Sequence, residues 1–208
     1  MIVFIYPADK QKYADYLQKY YILRKKIFCD QLGWISVNGQ NIETDNLDEE
    51  YNVIILFIDT KTDNVTGGVR LVPTIGNTLI HSVWSDMLPE PDDFRSPQIW
   101  EATRYCVNDT DVEGRKSKLV NRVSLALMFA ILDFADQNNI TAILAVCEKK
   151  IVNMIKVFSP GLETISEKTD ENGCEICCTL WSTEPEIREG IKWARQFLGG
   201  ANASQLEH

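Results

Sequence analysis

Charged and aromatic residues in the first half of the chain have the types and spacing needed to bind a small charged molecule. Arg24 and Phe28 are four residues apart in a predicted helix, so they share one face. Arg70 lies in an otherwise apolar strand, where a buried guanidinium needs a carboxylate partner. One loop supplies three carboxylates, those of Glu43, Asp45 and Asp48. Because carboxylates can bind an ammonium group and also fix a neighbouring arginine, this combination predicts a charged site for an amino acid.

Each of these residues also has a structural explanation. Arg24 could extend over a partly buried aromatic stripe with its charge in water. Acidic runs such as residues 43–48 are more often solvated loops. Trp34 could form the wall of a pocket or anchor its loop, and its position does not distinguish the two. Spacing alone therefore favours a structural role for Arg24 and Phe28.

Glu101 and Arg104 form the second candidate group, in a predicted strand. Residues three apart in a regular strand point to opposite faces, so these two can serve one site only if the strand bulges between them. Bulges of this kind are common next to active sites. A shared site therefore requires an irregular strand between Glu101 and Arg104, and the alternative is an ion pair on an edge strand.

The composition argues against several functions. The net charge of −9 argues against nucleic acid as the main partner, because phosphate binding needs a basic face. No apolar run reaches membrane-spanning length, and residues 1–6 lack the basic region of a signal peptide. Cys174 and Cys177 have the spacing of one ligand pair, but a zinc site needs a second pair and the cysteines before residue 174 are scattered singly. We therefore expect no metal site, no membrane partner, a cytoplasmic location and reduced thiols.

Hydrophobic periodicity predicts the elements that must position these residues. Strands are predicted at 1–6, 53–58, 65–72, 99–107, 141–147 and 174–182. Helices are predicted at 10–29, 119–137, 149–158 and 184–198, with loops at 35–50 and 85–98. This order indicates an α+β fold with a mixed sheet, in one domain over residues 1–200. Residues 201–208 form a tail whose end, Leu206–His208, resembles the remnant of an expression tag.

In this order and spacing, the candidate residues resemble those of the acyl-homoserine lactone synthases, the autoinducer synthases of bacterial quorum sensing. The resemblance is strongest from Tyr21 to Val107 and includes Gly68–Thr74 and Trp100–Arg104. It implies a GNAT-like acyltransferase fold, with a mixed, mostly antiparallel sheet flanked by helices and a strand splayed near residues 100–105. Enzymes of this family acylate the amine of S-adenosylmethionine from an acyl thioester and then close the lactone, releasing methylthioadenosine. Both reactants are substrates, so the resemblance implies no cofactor.

The resemblance also implies a role for each candidate residue. Glu101 is the expected general base, and the backbone at Thr103 is the second candidate. S-adenosylmethionine would be bound by Arg24, Phe28, Trp34, Asp45 and Arg104. The supporting ion pairs would be formed by Glu43, Asp48 and Arg70.

Two departures from the family pattern concern the acyl group. Ala102 and Thr103 stand where many members have leucine and serine, which changes the shape near the thioester. Ala145 and Cys147 align with a position where threonine accompanies 3-oxoacyl substrates. These two small residues are therefore expected to line the acyl pocket, and a 3-oxo product is less expected.

The acyl donor is predicted from the distribution of basic residues. An acyl carrier protein is acidic and needs a basic patch. Basic side chains are densest at Arg115, Lys116, Lys118, Lys149 and Lys150. The segment 115–122 could instead hold a coenzyme A pyrophosphate at a helix start, but it lacks the glycine-rich turn that such sites prefer. We therefore expect an acyl carrier protein as donor. The alternatives are a coenzyme A-dependent N-acyltransferase acting on another amine and a non-catalytic binding module that retains the fold.

Overall fold

The computed structural model describes residues 1–36, 39–108, 122–156 and 161–183. It divides into two compact units, each assembled from two separate stretches of the chain. The first unit contains Met1–Leu71 and Arg104–Ala130, and the second contains Val72–Thr103 and Ile131–His208. The expectation of one domain over residues 1–200 stays a prediction. Within the described residues, no helix is both long enough and apolar enough to cross a bilayer.

Seven strands and four α-helices lie in the described residues. The strands are β1 (Ile2–Ile5), β2 (Val53–Asp59), β3 (Asn64–Pro73), β4 (Ile99–Val107), β5 (Ala142–Glu148), β6 (Leu162–Thr169) and β7 (Glu175–Ser182). The helices are α1 (Ala14–Arg24), α2 (Leu79–Ser82), α3 (Arg122–Gln137) and α4 (Lys149–Lys156). A π-helical segment, Lys25–Gln31, continues α1. Short 3-10 turns lie at Pro7–Asp9, Asn46–Asp48, Ser85–Met87 and Pro91–Phe94.

The sheet of the first unit is antiparallel, with β2 between β1 and β3. The first four residues of β2 are fully buried, as expected for an apolar strand covered on both faces. Leu17, Tyr20 and Leu23 of α1 form one buried cluster with Ile54 and Leu56 of this strand. Burial of the apolar face of α1 therefore holds the helix that carries Arg24.

Gly68 in β3 lets α1 approach the sheet closely. A Cβ atom at this position would lie 2.6 Å from the ring of Tyr20 and 2.8 Å from Leu56, which is too close for two carbon atoms. Tyr20 is therefore seated against the strand and is fully buried. Arg24, one turn further along α1, lies on the same side of the helix as Tyr20.

The second unit contains parallel and antiparallel strand pairs. β4 pairs in parallel with β5, β5 pairs antiparallel with β7, and β7 pairs antiparallel with β6. Trp100 of β4 contacts Phe134 of α3 edge-to-face, with ring centroids 5.2 Å apart. The strand pairs of the two units confirm the predicted α+β fold with a mixed, mostly antiparallel sheet.

β4 is irregular in the region where an irregularity is predicted. Its described pairing with β5 ends at Glu101↔Leu144, although β4 continues to Val107. Arg104 has a φ of 53°, a left-handed conformation that side chains other than glycine rarely adopt. The Tyr20 hydroxyl donates to the Arg104 carbonyl oxygen at 2.9 Å. Side chains alternate between the two faces only in a regular strand. The left-handed conformation of Arg104 interrupts this alternation, so the spacing of three residues does not by itself place Glu101 and Arg104 on opposite faces.

The predicted elements differ from the structure in four places. α2 is absent from the prediction because its 4 residues are too few to show a helical period. β6 is absent from the prediction because many of its side chains are polar and partly exposed, so it lacks the apolar alternation that identifies strands. The helix predicted at 10–29 begins as an α-helix at Ala14 and changes to π-helical hydrogen bonding after Arg24. The predicted loops 35–50 and 85–98 contain 3-10 turns. Residues 119–121, residues 157–158 of the helix predicted at 149–158, and the helix predicted at 184–198 lie outside the described residues.

We expect Gly68→Ala to lower the free energy of unfolding by about 2 kcal/mol, because the added methyl group must displace Tyr20 or Leu56. Urea denaturation followed by circular dichroism measures this change. Gly76→Ala is the matched control, since its Cβ would lie at an ordinary contact distance of 3.8 Å from the Pro73 carbonyl oxygen and should change stability little. Equal stabilities of the two variants would contradict the close seating of α1 on β3.

Candidate active site

Arg24 is the buried centre of a group of ion pairs in the first unit. Its guanidinium donates from Nε to Glu43 at 2.5 Å and from Nη1 to Asp48 at 2.7 Å. The side chains of these three residues are at most 2% exposed. A charge this far from water must be paired and hydrogen-bonded, so the burial of Arg24 requires the two carboxylates.

Arg70 extends these ion pairs from β3. Its Nη1 donates to Asp45 Oδ1 at 2.5 Å and its Nη2 donates to Asp45 Oδ2 at 2.9 Å, the two-pronged geometry that suits a carboxylate. Nη1 also donates to Asp48 Oδ1 at 2.7 Å. Asp48 therefore bridges Arg24 and Arg70, and the carboxylate partner that the sequence requires for Arg70 is present.

The two aspartates are fixed by the 3-10 turn Asn46–Asp48. Asp45 accepts a hydrogen bond from Leu47 N at 3.0 Å, and Asp48 accepts one from Asp45 N at 2.8 Å, which together form a capping box. Glu43 N donates to the Tyr21 carbonyl oxygen at 3.1 Å and attaches the same loop to α1. The acidic residues are thus part of an ordered loop, and the alternative of a solvated acidic run is wrong.

Arg104 and Asp45 form the accessible end of this group. Arg104 Nη2 lies 2.8 Å from Asp45 Oδ2 and 3.1 Å from Glu43 Oε1. The Arg104 and Asp45 side chains are 13% and 20% exposed. The Arg104 guanidinium lies 5.5 Å from the centroid of the Phe28 ring, and the Phe28 and Trp34 ring centroids are 6.2 Å apart. A ligand reaching the ion pairs would therefore meet one cation, one anion and two aromatic rings.

The ion pairs form a neutral group of three arginines and three carboxylates, which we call the ion-pair network. Its members are Arg24, Arg70, Arg104, Glu43, Asp45 and Asp48. The buried Arg24 Nη2 has no hydrogen-bond partner among the described residues and lies 3.9 Å from Asp45 Oδ2, within the distance of an ion pair. A neutral network can accept a zwitterion without leaving excess charge in a buried site.

The arginines keep the aspartates ionised. Burial alone would raise the pKa of Asp48, but the hydrogen bond from Arg24 and the charges of Arg24 and Arg70 outweigh it, and the pKa is lowered. Burial also acts to raise the pKa of Asp45, and the hydrogen bonds and charge of Arg70, with the charge of Arg104, lower it overall. Both carboxylates are therefore charged at neutral pH and able to attract an ammonium group.

Glu101 belongs to the second unit and is held by backbone amides. Its side chain is buried, and its two carboxylate oxygens accept hydrogen bonds from Leu79 N and Ile80 N, each at 2.9 Å. Two N–H donors fix the orientation of the carboxylate. Thr103, two residues further along β4, is also buried. The roles of Glu101 and Thr103 remain predictions.

The backbone amides of Leu79 and Ile80, which donate to Glu101, could not be identified from the sequence. Side-chain types do not reveal donors that belong to the backbone. The available signal is Thr78, which stands immediately before two apolar residues in the pattern of a helix N-cap. Its hydroxyl accepts a hydrogen bond from His81 N at 3.3 Å, so Thr78 is the N-cap of α2.

Ala145 and Cys147, the expected acyl-pocket residues, lie on one face of β5. Their partners on β7 are Thr179 and Cys177, so these four side chains share that face. The Thr179 hydroxyl donates to the Ala145 carbonyl oxygen at 3.2 Å. Burial raises the pKa of the Cys147 thiol to about 12, so the thiol is neutral at physiological pH. This face offers small neutral side chains, as an acyl pocket requires, and its role stays a prediction.

The expected docking lysines in the described residues are paired with acids. Lys149 Nζ lies 2.7 Å from Glu167 and 3.2 Å from Glu175, and Lys150 Nζ lies 2.7 Å from Glu148. These pairs leave little excess positive charge on this part of the surface. Arg115, Lys116 and Lys118 lie outside the described residues. Within the described ranges, no cluster of histidine, cysteine and acidic residues could hold a metal ion.

Comparisons with known proteins identify relatives over most of the chain. A sequence model of the autoinducer synthases matches residues 9–191. A probable acyl-homoserine-lactone synthase of Sinorhizobium fredii is 26% identical over 155 residues, which is 74% of this chain and 74% of that protein.

Two solved structures are similar in fold. The structure of a CoA-dependent acyl-homoserine lactone synthase, MesI, covers 98% of this chain and 97% of that one, with a TM-score of 0.77 and 25% identity. The structure of the CoA-dependent synthase BjaI with S-adenosylmethionine and isopentyl-CoA covers 97% of this chain and 90% of that one, with a TM-score of 0.79 and 21% identity. These alignments support the predicted GNAT-like fold.

We expect Asp48→Asn to lower the free energy of unfolding at pH 7 by about 3 kcal/mol, because the buried guanidiniums of Arg24 and Arg70 both lose the negative charge of Asp48. Because the pKa of Asp48 is lower in the folded state than its ordinary value of 3.8, the ionised carboxylate stabilises the fold at pH values above 3.8. This stabilisation is lost as the pH falls from 3.8 through the pKa of the folded state. The difference between wild type and variant should therefore shrink below about pH 4 in urea denaturation.

Asp63→Asn is the matched control for this variant, since Asp63 is also ion-paired but is exposed to solvent. It should change stability little. An equal effect of the two substitutions at pH 7, or a difference for Asp48→Asn that does not depend on pH, would contradict the bridging role of Asp48.

Proposed function

This chain belongs to the autoinducer synthase family, and we propose that it converts S-adenosylmethionine and an acyl thioester into an N-acyl-L-homoserine lactone. The observation that carries this proposal is the neutral ion-pair network with its accessible end at Asp45 and Arg104. The amino-acid end of S-adenosylmethionine is a zwitterion, with an ammonium and a carboxylate on one carbon. Its charges match one partly exposed carboxylate and one partly exposed guanidinium beside Phe28 and Trp34.

In this proposal the ion-pair network orients the amino acid. Asp45 binds the ammonium, and Arg104 with Nη2 of Arg24 binds the carboxylate. Phe28 and Trp34 enclose the ligand, while Asp48, Arg70 and Glu43 keep the binding groups in place. Because these groups are already fixed by ion pairs, little ordering is required when the substrate binds.

The chemistry then requires a base and a donor to an oxyanion. The ammonium must lose a proton to Glu101, directly or through a water, before the amine attacks the thioester carbonyl. Backbone N–H groups in the irregular part of β4 are suited to stabilise the tetrahedral oxyanion, and the thiol leaves as the amide forms. The methionine carboxylate, held by the arginines, next attacks the γ-carbon and expels methylthioadenosine. Thr103 remains the second candidate, through its backbone carbonyl oxygen.

The thioester donor in this proposal is carried either by an acyl carrier protein or by coenzyme A. An acyl carrier protein is the donor favoured by the density of basic residues in the sequence. An acyl-CoA is the second candidate, because Lys149 and Lys150 are neutralised by glutamates and because the aligned synthase MesI is CoA-dependent. The cytoplasmic location expected from the sequence remains part of the proposal.

Product analysis with purified protein tests the reaction. We expect S-adenosylmethionine and a panel of acyl thioesters, on coenzyme A and on acyl carrier protein, to give equal amounts of lactone and methylthioadenosine by mass spectrometry. The carrier with the higher kcat/KM identifies the donor. Reactions without a thioester are the control and should release no methylthioadenosine. An acylated product without methylthioadenosine, or no product from any donor, would contradict the proposal.

Glu101→Gln should lower kcat by about two to four orders of magnitude, because the amine can no longer transfer its proton to a carboxylate. The dissociation constant of S-adenosylmethionine, measured by calorimetry, should stay nearly unchanged, since the ion-pair network is intact. Glu163→Gln, at an exposed position on β6, is the matched control. Unchanged turnover in Glu101→Gln would remove Glu101 as the base.

A further inference from the structure

The turn that presents two amides to Glu101 is closed by Thr78 and His81. Thr78 is buried, and its hydroxyl oxygen accepts a hydrogen bond from His81 N. The same oxygen lies 2.5 Å from Nδ1 of the His81 ring. The Ser82 hydroxyl donates to the Thr78 carbonyl oxygen at 2.7 Å and completes the turn. We refer to Thr78, His81 and the amides of Leu79 and Ile80 as the Glu101 clasp.

The second ring nitrogen assigns the tautomer of His81. Nε2 lies 3.0 Å from the Pro91 carbonyl oxygen, which can only accept a hydrogen bond, so Nε2 carries a hydrogen. In the neutral ring Nδ1 is then unprotonated and accepts from the Thr78 hydroxyl. Thr78 Oγ1 therefore donates to the His81 ring and accepts from the His81 backbone N–H. Both functions of the hydroxyl are used only when His81 is neutral.

Protonation of His81 disrupts this arrangement. An imidazolium carries hydrogen on both nitrogens, so Nδ1–H and the Thr78 hydroxyl hydrogen would face each other across 2.5 Å. The hydroxyl has to turn its hydrogen away from the ring and accept from Nδ1–H, so the charged ring competes with His81 N for the oxygen that caps α2. Among the described residues, the charged groups that act on the ring are Arg95 and Asp92. Burial, aided by Arg95, lowers the pKa of His81 below its ordinary value of 6.5, against the opposing effects of Pro91 and Asp92.

We propose that Thr78 and His81 are positioning residues for Glu101, and that neutral His81 is the form that keeps the two amides on its carboxylate. The catalytic consequence rests on the proposed function, in which Glu101 is the base. Above the pKa of His81 both carboxylate oxygens are held in one orientation. Below it the turn loosens, Glu101 loses its orientation, and acyl transfer slows while binding of S-adenosylmethionine is unaffected.

Hydrogen exchange at the Leu79 and Ile80 amides tests the Glu101 clasp without reference to the reaction. By NMR, their protection factors should fall about tenfold as His81 becomes protonated, the size expected when one buried hydrogen bond is lost. The sequence has two histidines, so the His81→Gln variant assigns the ring resonance that reports its titration. Protection that does not follow the His81 titration would overturn the proposal.

Variants of Thr78 separate positioning from folding. Thr78→Val should lower both protection factors and kcat about tenfold, with KM for S-adenosylmethionine unchanged, and Thr78→Ser should restore them. Thr141→Val is the matched control, an exposed threonine whose hydroxyl also donates to a backbone carbonyl, that of Gln98, at 3.2 Å. The acid limb of the wild-type rate profile that follows His81 should be absent from Thr78→Val.

The outcomes distinguish this inference from the proposed function. If wild-type protein forms lactone and Thr78→Val behaves as Thr141→Val does, the positioning role is wrong and the proposed function stands. If wild-type protein forms no lactone but the protection factors follow His81, the proposed function is wrong and the Glu101 clasp stands.

Discussion

The structure of the candidate site depends on one buried carboxylate. Asp48 Oδ1 accepts from both Arg24 and Arg70, and without it two like charges would lie close together away from water. This requirement explains why residues 43–48 are ordered although their composition is that of a solvated loop. The capping box that fixes Asp48 and the close seating of α1 on Gly68 meet the same demand, because a buried ion pair tolerates little displacement.

The ion-pair network of the first unit and Glu101 of the second unit are held by different physical means. The ion-pair network relies on full charges that neutralise one another, so each member is required by its neighbours. Glu101 is held instead by the neutral amides of Leu79 and Ile80. Hydrogen bonds of this kind orient a carboxylate through fixed backbone geometry. The carboxylate of Asp48, which bridges two guanidiniums, is instead kept ionised by them.

Much of the fold could be predicted because burial leaves a pattern in the sequence. The apolar run of β2 and the apolar face of α3 identify these elements directly. β6 could not be found, because its polar residues carry no such pattern. The change to π-helical bonding after Arg24 is also not readable, since it shifts the hydrogen bonds without altering the residue types that favour a helix.

For the candidate site, the sequence could supply the members of the ion-pair network but not its connections. Arg24 is assigned to substrate by resemblance, yet two of its three side-chain nitrogens donate to Glu43 and Asp48. Pairings between distant residues, such as Lys149 with Glu167, depend on strand register that no local pattern reports.

The neutrality of the ion-pair network has a consequence for association kinetics. Charges that sum to zero produce a potential that decays faster than that of a single ion, and salt screens what remains beyond roughly 8 Å at physiological ionic strength. The network therefore acts on a ligand only at contact. Long-range electrostatic forces come from the chain's net charge of −9, which attracts cations and speeds their arrival and repels anions and slows theirs. Added salt should thus change the arrival rates of oppositely charged substrates in opposite directions, while the retention of a bound zwitterion hardly changes.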